Sequence, residues 1–238
     1  MKHSPPDYVS PAIAPGVPLA PGKGGHLAGI ASEVIPTYED RLSQDARWAL
    51  SEGSRHFEGK SDVFRAFYKI TKRLAELGIP CAIVGGMSLF QHGLRRFTED
   101  VDILVTKDDL RRIHEKLEGL GYLPVHLHSK HLRDTEFGVR IEFLTTGEFP
   151  GPRSVSFESD GVSHITLPAL IELKLASGMT NPTRLKDLAD VLELIKLRNL
   201  SADYAEQLNP FVRDKYRELC EAVRKYGVVE ESDFDPDA

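Results

Sequence analysis

Two short stretches of this 238-residue chain carry residue types suited to chemistry: Asp100-Val101-Asp102, and upstream of it Gly85-Gly86-Met87-Ser88. If Val101-Asp102-Ile103-Leu104-Val105 is a β-strand, residues two apart share a face at roughly 6.6 Å along the strand axis. Asp100 and Asp102 then aim two carboxylates at one place, while Val101, Ile103 and Val105 face a core. Neighbouring carboxylates repel unless a cation sits between them. Mg²⁺ or Mn²⁺ is the natural choice, because hard cations take oxygen ligands and share them with substrate phosphates. Paired glycines allow close backbone approach, and a helix starting just after them offers free N–H groups and a positive dipole end to phosphate. Ser88 adds a hydroxyl. Gly85, Gly86 and Ser88 for phosphate, with Asp100 and Asp102 for metal, describe a metal–nucleotide site. Each motif alone is common in ordinary turns and strand ends; here they lie within one supersecondary unit.

The surrounding pattern supplies elements to position them. Ser61 is a helix N-cap followed by Val63, Phe64, Phe67, Tyr68, Ile70, Leu74 and Leu77 at helical spacing, with Gly78 and Pro80 as the stop. Cys81-Ala82-Ile83-Val84 is a buried strand turning at Gly85-Gly86 into a short helix, Met87 to His92, closed by Gly93. After the Asp-x-Asp strand a helix runs from Thr106 through Leu110, Ile113, Leu117 and Leu120 to Gly119 or Gly121. A strand at Tyr122 to His128 and a clearer one at Val139 to Leu144 follow, then a loop from Gly147 to Pro152. The spacing predicts helices from Pro168 to Ser177, from an Asn181-Pro182 cap pair through Ile195, and from Ala202 to Tyr226. The rhythm is α/β, without internal repeats.

Val84-Gly85-Gly86-Met87-Ser88, a spacer, and Asp100-Val101-Asp102-Ile103 together resemble the signature of the nucleotidyltransferase fold. His92-Gly93-Leu94-Arg95-Arg96-Phe97-Thr98-Glu99-Asp100, Leu170 to Gly178 and Arg184 to Val191 resemble small bacterial nucleotidyltransferase-like proteins related to abortive-infection and type IV toxin–antitoxin systems. The resemblance spans roughly residues 60 to 198. It implies an α/β (α+β) fold, a small mixed β-sheet flanked by helices with further helices C-terminal. Domain organisation is read as a Pro/Gly-rich arm (1–40), a core (41–165), a helical part completing the cleft (166–228) and an acidic tail (229–238).

The resemblance also implies a third carboxylate on an adjacent strand. Glu142 fits, alternating out of Val139, Ile141 and Phe143. Many relatives carry aspartate there, so metal ligand and general base both stay open, as does a solvated residue paired with Arg140. Lys174 by resemblance faces the cleft and meets nucleotide phosphates; the alternative is a lysine that snorkels to the surface. Arg184, Lys186, Asp187 and Asp190 form a charged stripe, either an intrahelical network or, with Asp187 the chosen member, a device that positions the nucleotide. Arg95 and Arg96 suit phosphate by their planar guanidinium, or simply neutralise Glu99 or Asp100. His126, His128 and His131 read as ordinary polar histidines.

The implied function is metal-dependent transfer of an NMP from an NTP to a hydroxyl acceptor: RNA such as tRNA, protein or a small molecule. An antitoxin is an implied partner. The rivals are a noncatalytic nucleotide-binding or toxin–antitoxin module of the same fold, and a sugar-nucleotide glycosyltransferase, which would want a long nucleotide-binding half before the triplet. Cys81 and Cys220 lie 139 positions apart, with no zinc-type pair, which reads as a reduced, cytoplasmic chain. Neither a secretory leader nor a membrane span is expected. The net charge of −6 argues against a wholly basic nucleic-acid coat, but five acids lie in the last nine residues, and residues 41–229 carry +1.

Overall fold

The computed structural model of the protein describes residues 36–147 and 162–226; the expected arm up to residue 35, the loop 148–152 and the acidic tail lie outside the described residues. Six strands form one mixed sheet in the order β3-β4-β5-β2-β1-β6. β2 (Asp100–Val105) occupies its middle, antiparallel to β1 (Cys81–Ile83) and parallel to β5 (Arg140–Thr145). β3 (Tyr122–Pro124) and β4 (Leu132–Asp134) extend the β5 side, and β6 (Val162–His164) runs parallel to β1 at the other edge.

Strand alternation divides the core in two. Val101, Ile103 and Val105 are fully buried beneath α3 (Asp62–Glu76) and α5 (Lys107–Leu117), with Ile70, Leu74, Ile113, Ile141 and Phe143. Ala82, Val84 and Leu104 face the other way, into an apolar cluster built by α6 (Leu167–Thr180), α7 (Leu185–Arg198) and α8 (Pro210–Tyr226). This second layer covers Leu104 but stops short of Asp102 and Asp100 on the same face, so the acidic end of β2 stays only half-buried.

Several elements differ from expectation, each for a local reason. The packed chain begins before residue 41. Tyr38 opens α1 (Tyr38–Gln44), is wholly buried, and donates its N–H to Gly138 O at 3.1 Å. Helix α2 (Ala46–Phe57) gave no apolar periodicity because the residues it buries are Glu52 and His56. The strand predicted over Tyr122 to His128 ends at Pro124, and the chain turns through His128 at φ 61° to form the unanticipated β4. Asn181-Pro182 does not cap a helix. Asn181 closes α6, its side chain accepts from the Thr183 N–H at 3.0 Å, and α7 starts at Leu185. The last predicted helix is broken into a 3-10 turn (Ala202–Gln207) and α8, because Pro210 sits where a continuous helix would need an N–H.

Glu52 ties the first two helices to the third. Its carboxylate accepts from the Tyr38 hydroxyl at 3.2 Å and from the Asp62 N–H, and pairs with Arg55 at 2.6 Å. Glu52→Ala strands two buried donors, so it should cost about 2–3 kcal/mol. Urea denaturation should show a lower midpoint with an unchanged slope; an unchanged midpoint would contradict the packing described.

Candidate active site

The parallel pairing of β2 with β5 places Asp102 opposite Glu142 and Asp100 opposite Arg140. One carboxylate oxygen from each of Asp100, Asp102 and Glu142 lies within 4.8 Å of the others, the one such group of potential metal ligands among the described residues. The Thr98 hydroxyl donates to Asp100 Oδ1 at 2.9 Å and fixes its orientation. Burial first, then the charges of Asp100 and Glu142, push the Asp102 carboxyl up to about 7; Lys174 and a hydrogen bond from the Gly86 N–H only partly oppose this. Glu142 is likewise raised by burial, against the pull of Arg140, whose Nη2 lies 2.8 Å from Glu142 Oε1 and 3.8 Å from Asp100 Oδ2.

The glycine pair has a concrete steric cause. Helix α4 spans Gly85–Gln91, so the glycines form its first turn rather than a loop before it. Gly85 sits at φ +58°, and a Cβ there would lie 1.7 Å from Asp102 Oδ2; one on Gly86 would lie 2.4 Å from Thr98 Oγ1. Both positions must lack a side chain for the carboxylate of Asp102 and the hydroxyl of Thr98 to reach the start of α4. The anion at this helix start is therefore Asp102 itself.

A cleft of about 280 Å³ opens over Gly85, Asp102 and Glu142, walled by Lys174, Arg184 and Asp187. Lys174 does not snorkel: it is 5% exposed, and its ammonium donates to Asp187 Oδ1 at 3.1 Å and Asp190 Oδ2 at 2.6 Å. An ammonium has three donors, so one remains beyond these two bonds. Burial alone would raise the Asp187 carboxyl; Lys174, with hydrogen bonds from Arg184 and Ser177, outweighs it and holds Asp187 below the ordinary carboxylate range. Asp187 and Asp190 thus pair across helices with Lys174, and Asp187 also with Arg184 at the start of its own helix.

Two residues read as nucleotide-binding lie elsewhere. Ser88 is fully buried under the core face of α4 with no hydrogen-bond partner for its hydroxyl. Arg96 is pinned to Asp190, Nε to Oδ1 at 2.7 Å, with a further bond to the Phe97 carbonyl at 3.0 Å. Arg95 and Lys186 are exposed. Asp190, the link between Arg96 and Lys174, was seen in the sequence only as part of a charged stripe; its place three residues after Asp187 on α7 was the available signal. His131 also lines the cleft. Its Nδ1 accepts from the Phe143 N–H at 3.0 Å, which puts the proton on Nε2, and burial, with the nearby Lys130 and Arg140, lowers its pKa to about 4. No sequence spacing announces a partner that is a backbone amide.

A family described as uncharacterised nucleotidyltransferases matches residues 25–158, more than half of the 238. The chain belongs to this family. The span matched by the nucleotidyltransferase family takes in Gly85, Gly86, Asp100, Asp102 and Glu142 and ends before α6 and α7, so the Lys174 side of the cleft lies beyond it. Among solved structures, the crystal structure of ANT(2")-Ia in complex with adenylyl-2"-tobramycin is similar over 65% of this chain and 96% of that chain, at 14% identity and a TM-score of 0.45. No curated protein matches the chain.

The raised Asp102 carboxyl makes a signed prediction for the metal-free nucleotidyltransferase. Its unfolded value is near 3.8 and its folded value about 7, so between those pH values the folded chain holds a proton that the unfolded chain releases. Its stabilising contribution is complete below about pH 4 and is lost as pH rises through 7. In EDTA, the wild type should lose on the order of 2 kcal/mol relative to Asp102→Asn between pH 4.5 and 8, read from paired urea titrations. A pH-independent difference would contradict the crowding of these carboxylates.

Proposed function

We propose that this protein transfers an NMP group from an NTP to a hydroxyl acceptor, using a divalent cation held by Asp100, Asp102 and Glu142. The observation that carries the reading is the convergence of three crowded carboxylates within 4.8 Å beside a cleft walled by Lys174 and Arg184. The donor set fits Mg²⁺ or Mn²⁺: all ligand atoms are carboxylate oxygens, and their mutual repulsion is relieved by a cation. Bound there, the cation would neutralise the carboxylates and polarise phosphate oxygens.

The remaining work falls to the chain. Lys174, with one N–H beyond its bonds to Asp187 and Asp190, and Arg184 draw the polyphosphate into the cleft. The acceptor oxygen forms a bond to the α-phosphorus as the bridging P–O bond breaks. Pyrophosphate leaves with that electron pair, and a carboxylate of the triad takes the hydroxyl proton. Positioning and charge neutralisation supply most of the rate. Ser88 and Arg96 have no direct part in this scheme; Arg96 acts through Asp190 on Lys174. RNA, tRNA included, protein and small hydroxyl compounds remain the acceptor classes, and an antitoxin partner rests on the toxin–antitoxin resemblance alone. Among the described residues no helix is long and apolar enough to cross a membrane.

Incubation with each α-labelled NTP, Mg²⁺ and total cell extract, resolved into RNA, protein and small-molecule fractions, tests the reading. Label should appear in one fraction and fall by at least about 10³-fold in the Asp100→Asn, Asp102→Asn double variant. Persistence of transfer in that variant overturns the assignment, and NTP binding without transfer to any fraction identifies a binding module instead.

A further inference from the structure

Arg140 stands between two sets of acids. It lies opposite Asp100 in the β2–β5 register and two residues before Glu142, so its guanidinium is delivered to the same face as the triad. One edge is engaged there, with Nη2 2.8 Å from Glu142 Oε1 and 3.8 Å from Asp100 Oδ2. Its Nε is buried with no hydrogen-bond partner, and Glu39 of α1 has Oε1 3.9 Å away, beyond hydrogen-bond reach. Glu39 is itself held in place, accepting from Arg133 Nη1 at 2.8 Å. A shift of about 1 Å toward Glu39 would give Nε a normal hydrogen bond and withdraw Nη2 from the triad. The side chain is 37% exposed, so part of the guanidinium faces solvent.

A cation at the triad needs Glu142 and Asp100, the same two carboxylates that Arg140 now engages. A guanidinium and a divalent ion within a few ångströms of each other repel, and the ion carries the larger charge. We propose that Arg140 is a displaceable counter-ion, a positioning residue that holds the triad together when no metal is bound and passes to Glu39 when the cation arrives. This rests on the triad being a cation site. It makes α1, which precedes the sheet in sequence, part of the metal site's electrostatics although it contributes no ligand.

The two ends of the switch make opposite predictions. Mn²⁺ titrations followed by calorimetry, without nucleotide and at low ionic strength, compare the full-length wild type, Arg140→Gln and Glu39→Gln. Removing the competing charge in Arg140→Gln should tighten Mn²⁺ binding about 10-fold, and Glu39→Gln, which takes away the alternative acceptor, should weaken it about 3-fold. In EDTA, Arg140→Gln should melt below the wild type, because Glu142 and Asp100 lose their counter-ion, and saturating Mn²⁺ should close that gap. A merely structural role for Arg140 would lower both stability and affinity. Equal or weaker Mn²⁺ binding by Arg140→Gln, or unchanged binding by Glu39→Gln, overturns the proposal while leaving the cation site intact. Absence of Mn²⁺ binding by the wild type instead overturns the cation site itself.

Discussion

Three carboxylates drawn into one small volume repel one another, and most of the polar structure around them is an answer to that repulsion. The in-register pairing of β2 with β5 forces Asp102 and Glu142 side by side, and strand alternation adds Asp100. The Gly86 N–H, the Thr98 hydroxyl and the Arg140 guanidinium each supply positive potential at short range. What they leave uncompensated shows in the raised Asp102 and Glu142 carboxyls. Carboxylates crowded in this way carry a cost incurred on folding, which a cation bound among them would remove.

The cationic half is organised on the opposite principle. Arg96, Asp190, Lys174, Asp187 and Arg184 alternate in sign, so each buried charge has a partner and Lys174 can be held almost fully buried. The chain of charges runs from the loop before β2 to the start of α7. It fixes the second layer of helices against the strand that carries the aspartates, and apolar packing alone, being non-directional, could not set that register.

Much of this was legible in the sequence because the controlling features were local. The alternation in Val101 to Val105, the Ser61 cap and the Gly-Gly turn each follow from residues adjacent in the chain, and they put Asp100 and Asp102 on one face of β2. Glu142 needed the family resemblance to single it out, since an alternating strand offers several exposed positions. The readings that did not hold share a cause. Ser88 was assigned to phosphate by proximity to the glycines, but a helix beginning at Gly85 turns that residue into the core. Arg96 looked like a phosphate ligand because its partner, Asp190, lies 94 residues away. Helix α2 escaped notice because its inward face is polar and satisfied by Tyr38, Asp62 and Ser61. In each case a feature invisible to periodicity, a helix start or a long-range polar contact, decided the outcome.

The family-matched span, residues 25–158, contains the carboxylate triad, whereas Lys174, Arg184 and Asp187 of the cleft wall lie beyond it. The strands that carry the carboxylates are bound by register, where a slip of one residue would turn the ligands into the core. The α6–α7 pair is bound only by its charge ladder and an apolar seam with the sheet, both tolerant of altered loops and of new residues facing the cleft. Residues facing the cleft from the helical side are not bound by the register that holds the carboxylates, and the joint between the two sides is the carboxylate of Asp190, shared by Arg96 and Lys174.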